Sequence, residues 1–226
     1  MNKPPRTTRY STFAVLILIA AGTANAQAPS NGVAKTKGLM IGAHVNGSTI
    51  ASAEQDNSAS DKERASGGGG GVIVGWGFTK WLMVYAGADV AKVKIRGGTG
   101  VDTDNEQPDY TLVHGDIGAR FSFPSPNHGF VPYLNAAVTR RSASTNLENQ
   151  DVSVFGNGVS VGGGSQYFFT PRWALDAGVQ FSPGKLGKAK VDGVKYDLKK
   201  LGQDPDNVNS VRINVGMKFY PHIGMK

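Results

Sequence analysis

The chain is 226 residues long, with 31 glycines, no cysteine, 39% hydrophobic residues and a formal net charge of +7. Without cysteine it has neither a disulfide framework nor a thiolate-ligated zinc site, and so modest a charge makes no case for nucleic acid as a partner. Low apolar content and a negative mean hydropathy exclude a bundle of membrane-spanning helices, but not a membrane protein in which only alternate residues face lipid.

Residues 1–26 have the plan of a secretory signal peptide. Lys3, Arg6 and Arg9 supply the positive start, Phe13 to Ala21 the apolar core, and Ala24-Asn25-Ala26 the small-residue cleavage site. Loss of those three cations lowers the charge from +7 to +4. The apolar run is far shorter than the ~20 residues a spanning helix needs. No later stretch is long and apolar enough either, so any membrane insertion is by strands. The remainder, 27–226, reads as one domain.

From Gly38 to Phe219 one pattern recurs about eight times, with roughly ten residues alternating apolar with small or polar, then a connector. Side chains on a strand have period two, so each repeat offers one face to oil and the other to something polar. The first strand, near 37–50, sends Leu39, Ile41, Ala43 and Val45 outward and Met40, Gly42, His44 and Asn46 inward, and a hydrophilic loop follows from Ala53. In the second, near 68–79, Val72, Val74, Trp76 and Phe78 alternate with Ile73, Gly75 and Gly77. A very short connector at Thr79-Lys80 leads to the third, 81–96, with Leu82, Val84, Ala86, Ala88 and Val90 outward and Tyr85, Gly87 and Asp89 inward.

After an acidic loop at 97–109, the fourth strand, 110–124, places Val113, Ile117, Ala119, Phe121 and Phe123 outward, and His114, Asp116, Gly118, Arg120 and Ser122 inward. Breaker residues from Pro124 to Gly129 make the next turn. The fifth strand, 130–144, is less regular, with Leu134, Ala136 and Val138 outward and Tyr133, Asn135 and Thr139 inward. Glycines leave the phase of the sixth, 154–169, open. Thr170-Pro171-Arg172 is the third short turn, and the seventh strand, 173–183, carries Trp173, Leu175, Ala177, Val179 and Phe181 on one face and Asp176 and Gln180 on the other. A lysine-rich connector, 184–207, precedes the eighth strand, 208–220, in which Val211, Ile213, Val215, Met217 and Phe219 alternate with Arg212, Asn214, Gly216 and Lys218.

Connectors thus alternate long and short, as expected of an antiparallel transmembrane barrel with short periplasmic turns and long outer loops. A soluble barrel has no reason to sort its loops, and its outer face would be polar. The Gly-rich alternating strands, the even strand count and the closing run from Val211 to Pro221 resemble the small outer-membrane barrels of the OmpA-like and OmpX-like family. The resemblance implies an all-β fold, an eight-stranded antiparallel up-and-down barrel without a peptidoglycan-binding domain. It also implies a bacterial outer-membrane location, a monomeric state, and a structural or surface role in envelope integrity, adhesion or lipopolysaccharide contact. Family members often end on an aromatic residue read by the barrel assembly machinery; here six residues follow Tyr220, which makes that signal internal.

On these phases the lumen holds His44, Asn46, Tyr85, Asp89, His114, Asp116, Arg120, Tyr133, Gln166, Asp176, Gln180, Arg212, Asn214 and Lys218. Mixed acids and bases of this kind form a satisfied ion-pair network, and eight strands leave room only for side chains, which favours a structural plug over a small channel. No serine stands in a motif that ties it to His44 or His114, so no catalytic residue is assigned and a lipid-modifying enzyme is the lesser alternative. Asp102 to Glu106 begins like a calcium loop but lacks its glycine and closing glutamate; no metal or cofactor is expected. Lys92, Lys94 and Arg96 have two readings. With the parity of Val90 they face outward, toward lipopolysaccharide phosphates, whereas a bulge near Ala91 would turn them inward.

Overall fold

A computed structural model describes residues 36–52, 64–96, 110–124, 129–147, 150–191, 194–197 and 206–221. Nine strands make up these residues: β1 (Gly38–Ser52), β2 (Arg64–Gly77), β3 (Leu82–Arg96), β4 (Tyr110–Ser122), β5 (Phe130–Leu147), β6 (Gln150–Phe168), β7 (Trp173–Val191), β8 (Val194–Asp197) and β9 (Asp206–Phe219). Each of β1 to β7 pairs antiparallel with its neighbour in sequence, and β9 pairs with both β7 and β1, which closes eight strands into an up-and-down barrel. The ninth, β8, lies beside only the outer end of β7. Closure leaves the barrel wall without an unpaired edge, the condition for strands to cross lipid.

The alternation sets which residues face out. Val45, Val72, Ile117, Leu134, Val138 and Val215 are each more than half exposed, an apolar belt with the sign of a lipid-facing surface. Along β3 the belt runs from Leu82 to Val90; nine residues on a strand tilted as barrels require match a hydrocarbon band about 25 Å tall. Trp76, Phe78, Trp81, Phe121, Phe123, Phe130, Phe169 and Trp173 ring the end that carries the short turns. Ring contacts between Trp81 and Phe121 and between Trp173 and Phe219 tie that girdle together, where amphipathic rings anchor a membrane interface.

Three features depart from the sequence reading. The phase of the sixth strand is resolved, with Val159 and Val161 outward and Ser160, Gln166 and Phe168 inward. Its register with β5 continues unbroken to Leu147 opposite Gln150, so the third outer connector is a projecting hairpin and not a long loop; the Ser/Thr-rich end of β5 reads as loop because it lies above the lipid and has no apolar ladder. Likewise β7 continues to Val191 through residues expected in the fourth loop.

Inward glycines make the closure possible. A Cβ on Gly67 would stand 1.7 Å from the Lys92 carbonyl oxygen and one on Gly69 would stand 1.8 Å from that of Val90, so β2 coils against β3 more tightly than any side chain permits.

Candidate functional site

The lumen is layered. At the short-turn end Met40, Ile73, Met83, Tyr85, Val131, Phe168, Ala174 and Tyr220 form an apolar floor. Near the outer mouth Ala65, Ala91, Val93 and Leu112 form a second apolar cluster, with Ile50, Tyr110 and Ala143 packed against it. Charged and polar side chains fill the space between.

The lower polar cluster centres on Asp176 of β7. Its carboxylate accepts hydrogen bonds from Gln166 Nε2 at 3.1 Å, Tyr133 Oη at 3.3 Å and Arg120 Nη1 at 3.4 Å, and Lys218 Nζ lies 3.7 Å away. Arg120 also donates from Nε to Asn135 Oδ1 at 3.0 Å and stacks 3.8 Å from the centroid of Tyr133. Tyr220 donates to Gln166 Oε1 at 2.9 Å, joining the cluster to the floor.

In the upper cluster Arg212 of β9 is the bridge. Its Nη1 is 2.6 Å from Asp89 Oδ2 and its Nη2 is 2.7 Å from Asp116 Oδ2, and the side chain is wholly buried. Asp89 also binds His44, and it accepts from Asn46 Nδ2 at 3.1 Å. Gln180 donates to Tyr85 Oη at 3.5 Å. Between them a cavity of about 30 Å³ is lined by His44, Asp116 and Asn214 among others, room for a water molecule or two. Bulky polar groups fit because their neighbours lack side chains: a Cβ on Gly71 would meet Asp89 Oδ1 at 2.3 Å, and one on Gly178 would meet Tyr133 Oη at 2.6 Å.

The sequence-derived lumen residues therefore fall into two groups, His44, Asp89, Asp116 and Arg212 in one and Tyr133, Asp176, Arg120 and Lys218 in the other. His114 stands apart, 3.3 Å from Ser210 Oγ. No group of three or more His, Asp or Glu side chains able to hold a metal occurs among the described residues, and the acidic segment 102–106 lies outside them. Sequence reasoning missed Arg141, which is 1% exposed. From β5 it crosses the sheet to donate to Ser182 O at 2.7 Å and Val208 O at 3.1 Å, over the gaps left by Gly158 and Gly184. The inward parity of Tyr133, Asn135 and Thr139, carried two residues further, would have found it.

On the outer wall Lys92 and Lys94 continue the exposed parity of Val90, while Ala91 and Val93 are buried; the register of β3 with β2 and with β4 has no bulge. Arg96 ends the strand, and its side chain lies outside the described residues.

Comparison with known proteins agrees with this geometry. The sequence matches the outer membrane protein beta-barrel domain over residues 13–219. The chain belongs to that family. It is a barrel of the bacterial outer membrane, so the short turns lie in the periplasm and the long connectors outside the cell. Among solved structures it is similar to Neisserial surface protein A (20% identity, TM-score 0.56, covering 81% of this chain and 97% of that one). It is also similar to OprG from Pseudomonas aeruginosa (12%, 0.50, 84% and 98%) and to Ail, the attachment invasion locus protein of Yersinia pestis (14%, 0.45, 81% and 99%). At these identities the likeness is one of fold. Among curated proteins none matches the chain.

Proposed function

We propose that this barrel is a non-enzymatic, non-conducting element of the outer membrane, whose interior holds the wall rigid while its outer rim meets lipopolysaccharide and the cell surface. The observation that carries the reading is the layered lumen. A polar network of buried ion pairs lies between an apolar floor and an apolar cluster near the mouth, which supports a lumen without a wet path for an ion or a substrate. His44 and His114 are engaged with Asp89 and Ser210 inside that network, which supports a non-enzymatic role.

Reconstitution into planar bilayers tests it, with the expected trace electrically silent. Regular unitary steps would refute the plug and make the barrel a small channel. Unaltered lipid A and phospholipid profiles when His44 or His114 is changed to Ala would agree with a non-enzymatic role, and loss of a modified lipid would overturn it. The exposed cations of β3 supply the rim contact: lipopolysaccharide affinity unchanged after replacement of Lys92, Lys94 and Arg96 by Gln would remove that part of the proposal.

A further inference from the structure

The outer extension of the β5–β6–β7 sheet carries a second and larger set of cations, and an irregularity in β7 decides where they point. Arg140 on β5 and Lys185 on β7 are paired with the same residue of β6, Asn157, one on each side. All three are exposed and follow the outward parity of Val138 and Val159. The register then slips: Phe155 pairs with Lys188 while Gly156 pairs with Leu186, so Gly187 is an extra residue on β7. In a regular strand Lys185 and Lys188, three apart, would face opposite sides. The bulge restores Lys188 and Lys190 to the outward face.

The geometry is fixed independently on the neighbouring strand. Lys190 pairs with Ser153, and the hydroxyls of Ser153 and Ser144 touch at 3.0 Å. Ser144 lies six residues beyond outward-facing Val138 on an unbroken stretch of β5. Beyond, β8 pairs Lys195 with Lys190 and Asp197 with Lys188. With strands about 4.8 Å apart and pairs of residues about 7 Å apart along each, Arg140, Lys185, Lys188 and Lys190 occupy one patch that spans three strands and is three rows tall. Asn157, Phe155 and Ser153 of β6 lie between them, and Asp197 of β8 stands in register with Lys188.

Its height selects the occupant. The patch begins one outward position above Val138, Val159 and Pro183, with Phe155 opposite Lys188 inside it, at the height where the charged headgroups of the outer leaflet stand. We propose that this face is a second lipopolysaccharide site, on the wall opposite Lys92 and Lys94, which holds glycolipid phosphates by charge-assisted hydrogen bonds from two strands. The proposal rests on the reading that the outer rim meets lipopolysaccharide.

The test measures binding of phosphorylated lipopolysaccharide, and of the same material enzymatically dephosphorylated, to the full chain in detergent micelles at low salt. Three proteins are compared: wild type, Lys185→Gln/Lys188→Gln/Lys190→Gln and Lys92→Gln/Lys94→Gln, each first shown to be folded by its gel shift on boiling. At about fivefold per cation near a charged surface, the triple variant loses on the order of a hundredfold in affinity, and wild type loses as much when the phosphates are removed. Wild-type affinity in the triple variant, with the β3 pair weakened, overturns this site and leaves the rim reading standing. Equal binding of both lipopolysaccharides by wild type overturns both. Capture of a soluble sulphated polysaccharide in place of lipopolysaccharide also overturns the proposal, and assigns the face to an extracellular polymer.

Discussion

Arg212→Met is the perturbation that the lumen geometry predicts most sharply. Arg212 is the partner of two carboxylates at 2.6 and 2.7 Å, and the two carboxylates do not depend on it equally. Asp89 keeps His44 and Asn46. Asp116 has no other partner among the described residues, since its Oδ1 is already unpaired. The substitution therefore leaves one buried carboxylate without a hydrogen-bond or ion-pair partner among the described residues, the case that costs about 3–5 kcal/mol. Methionine occupies much of the vacated volume and limits the entry of water that would soften the loss. Asp116→Asn should cost far less, about 1–2 kcal/mol, because Arg212 retains Asp89 and lies 3.5 Å from Ser182 Oγ. Joint replacement of Asp116 by Leu and Arg212 by Met removes the orphan and should recover most of the loss. Urea titration in phospholipid vesicles, followed by gel shift and tryptophan emission, measures all three. A penalty for Arg212→Met below about 1 kcal/mol, or one no larger than that for Asp116→Asn, would refute the assignment of Arg212 as the sole support of Asp116.

Other parts of the fold make separate predictions. Ile117→Arg, at an outward position 69% exposed and midway along β4, should cost about 2–4 kcal/mol in vesicles, while Thr49→Arg near the outer rim should cost about 0–1 kcal/mol; equal costs would mean that the belt does not face lipid. Gly71→Ala drives a methyl to 2.5 Å from the Ala88 carbonyl oxygen as well as into Asp89, and a loss of about 1–3 kcal/mol in the same titration is expected. Trp76, Trp81 and Trp173, on the periplasmic girdle, should be quenched more by lipids brominated near the headgroup than by lipids brominated near the chain ends. Deleting Gly187 removes the extra residue of β7 but leaves Lys188 and Lys190 on the outward face, so lipopolysaccharide affinity should hold within about twofold, whereas a fall equal to that of the lysine variants would mean that the bulge itself makes the contact.

Most of the wall was legible in the sequence because lipid imposes a period of two on every strand that crosses it. Leu82 to Val90 and Val211 to Phe219 show their outward faces without any structure, and the alternate residues place Asp89 and Arg212 in the lumen. Legibility fades where that pressure stops. The glycines of β6 carry no side chain to mark a face, so its phase emerges only through pairing with β5. The inward residues identify the members of the network but not the pairs: Arg212 reaches Asp89 and Asp116 across the lumen, and no spacing along the chain encodes a contact between β9, β3 and β4.

Above the membrane the same loss of signal concealed the lysines of β7. Once a strand leaves lipid, nothing forbids a polar residue on either face, so Lys185, Lys188 and Lys190 read as part of a loop, either solvated or in contact with lipopolysaccharide or host polyanions, with no face assigned. Their common direction arises because Gly187 stands outside the pairing, and because the long register of β5 with β6 holds the sheet beyond the barrel. Bulges are tolerated poorly within a lipid-facing ladder, because a slip of one residue turns every apolar side chain after it inward. Just past the last apolar row that penalty vanishes, and a slip can gather cations onto the face nearest the headgroups. The position of the bulge at that height, four residues beyond Pro183 on β7, is the physical reason to treat the lysines as part of the wall's outer rim and not as the start of a loop.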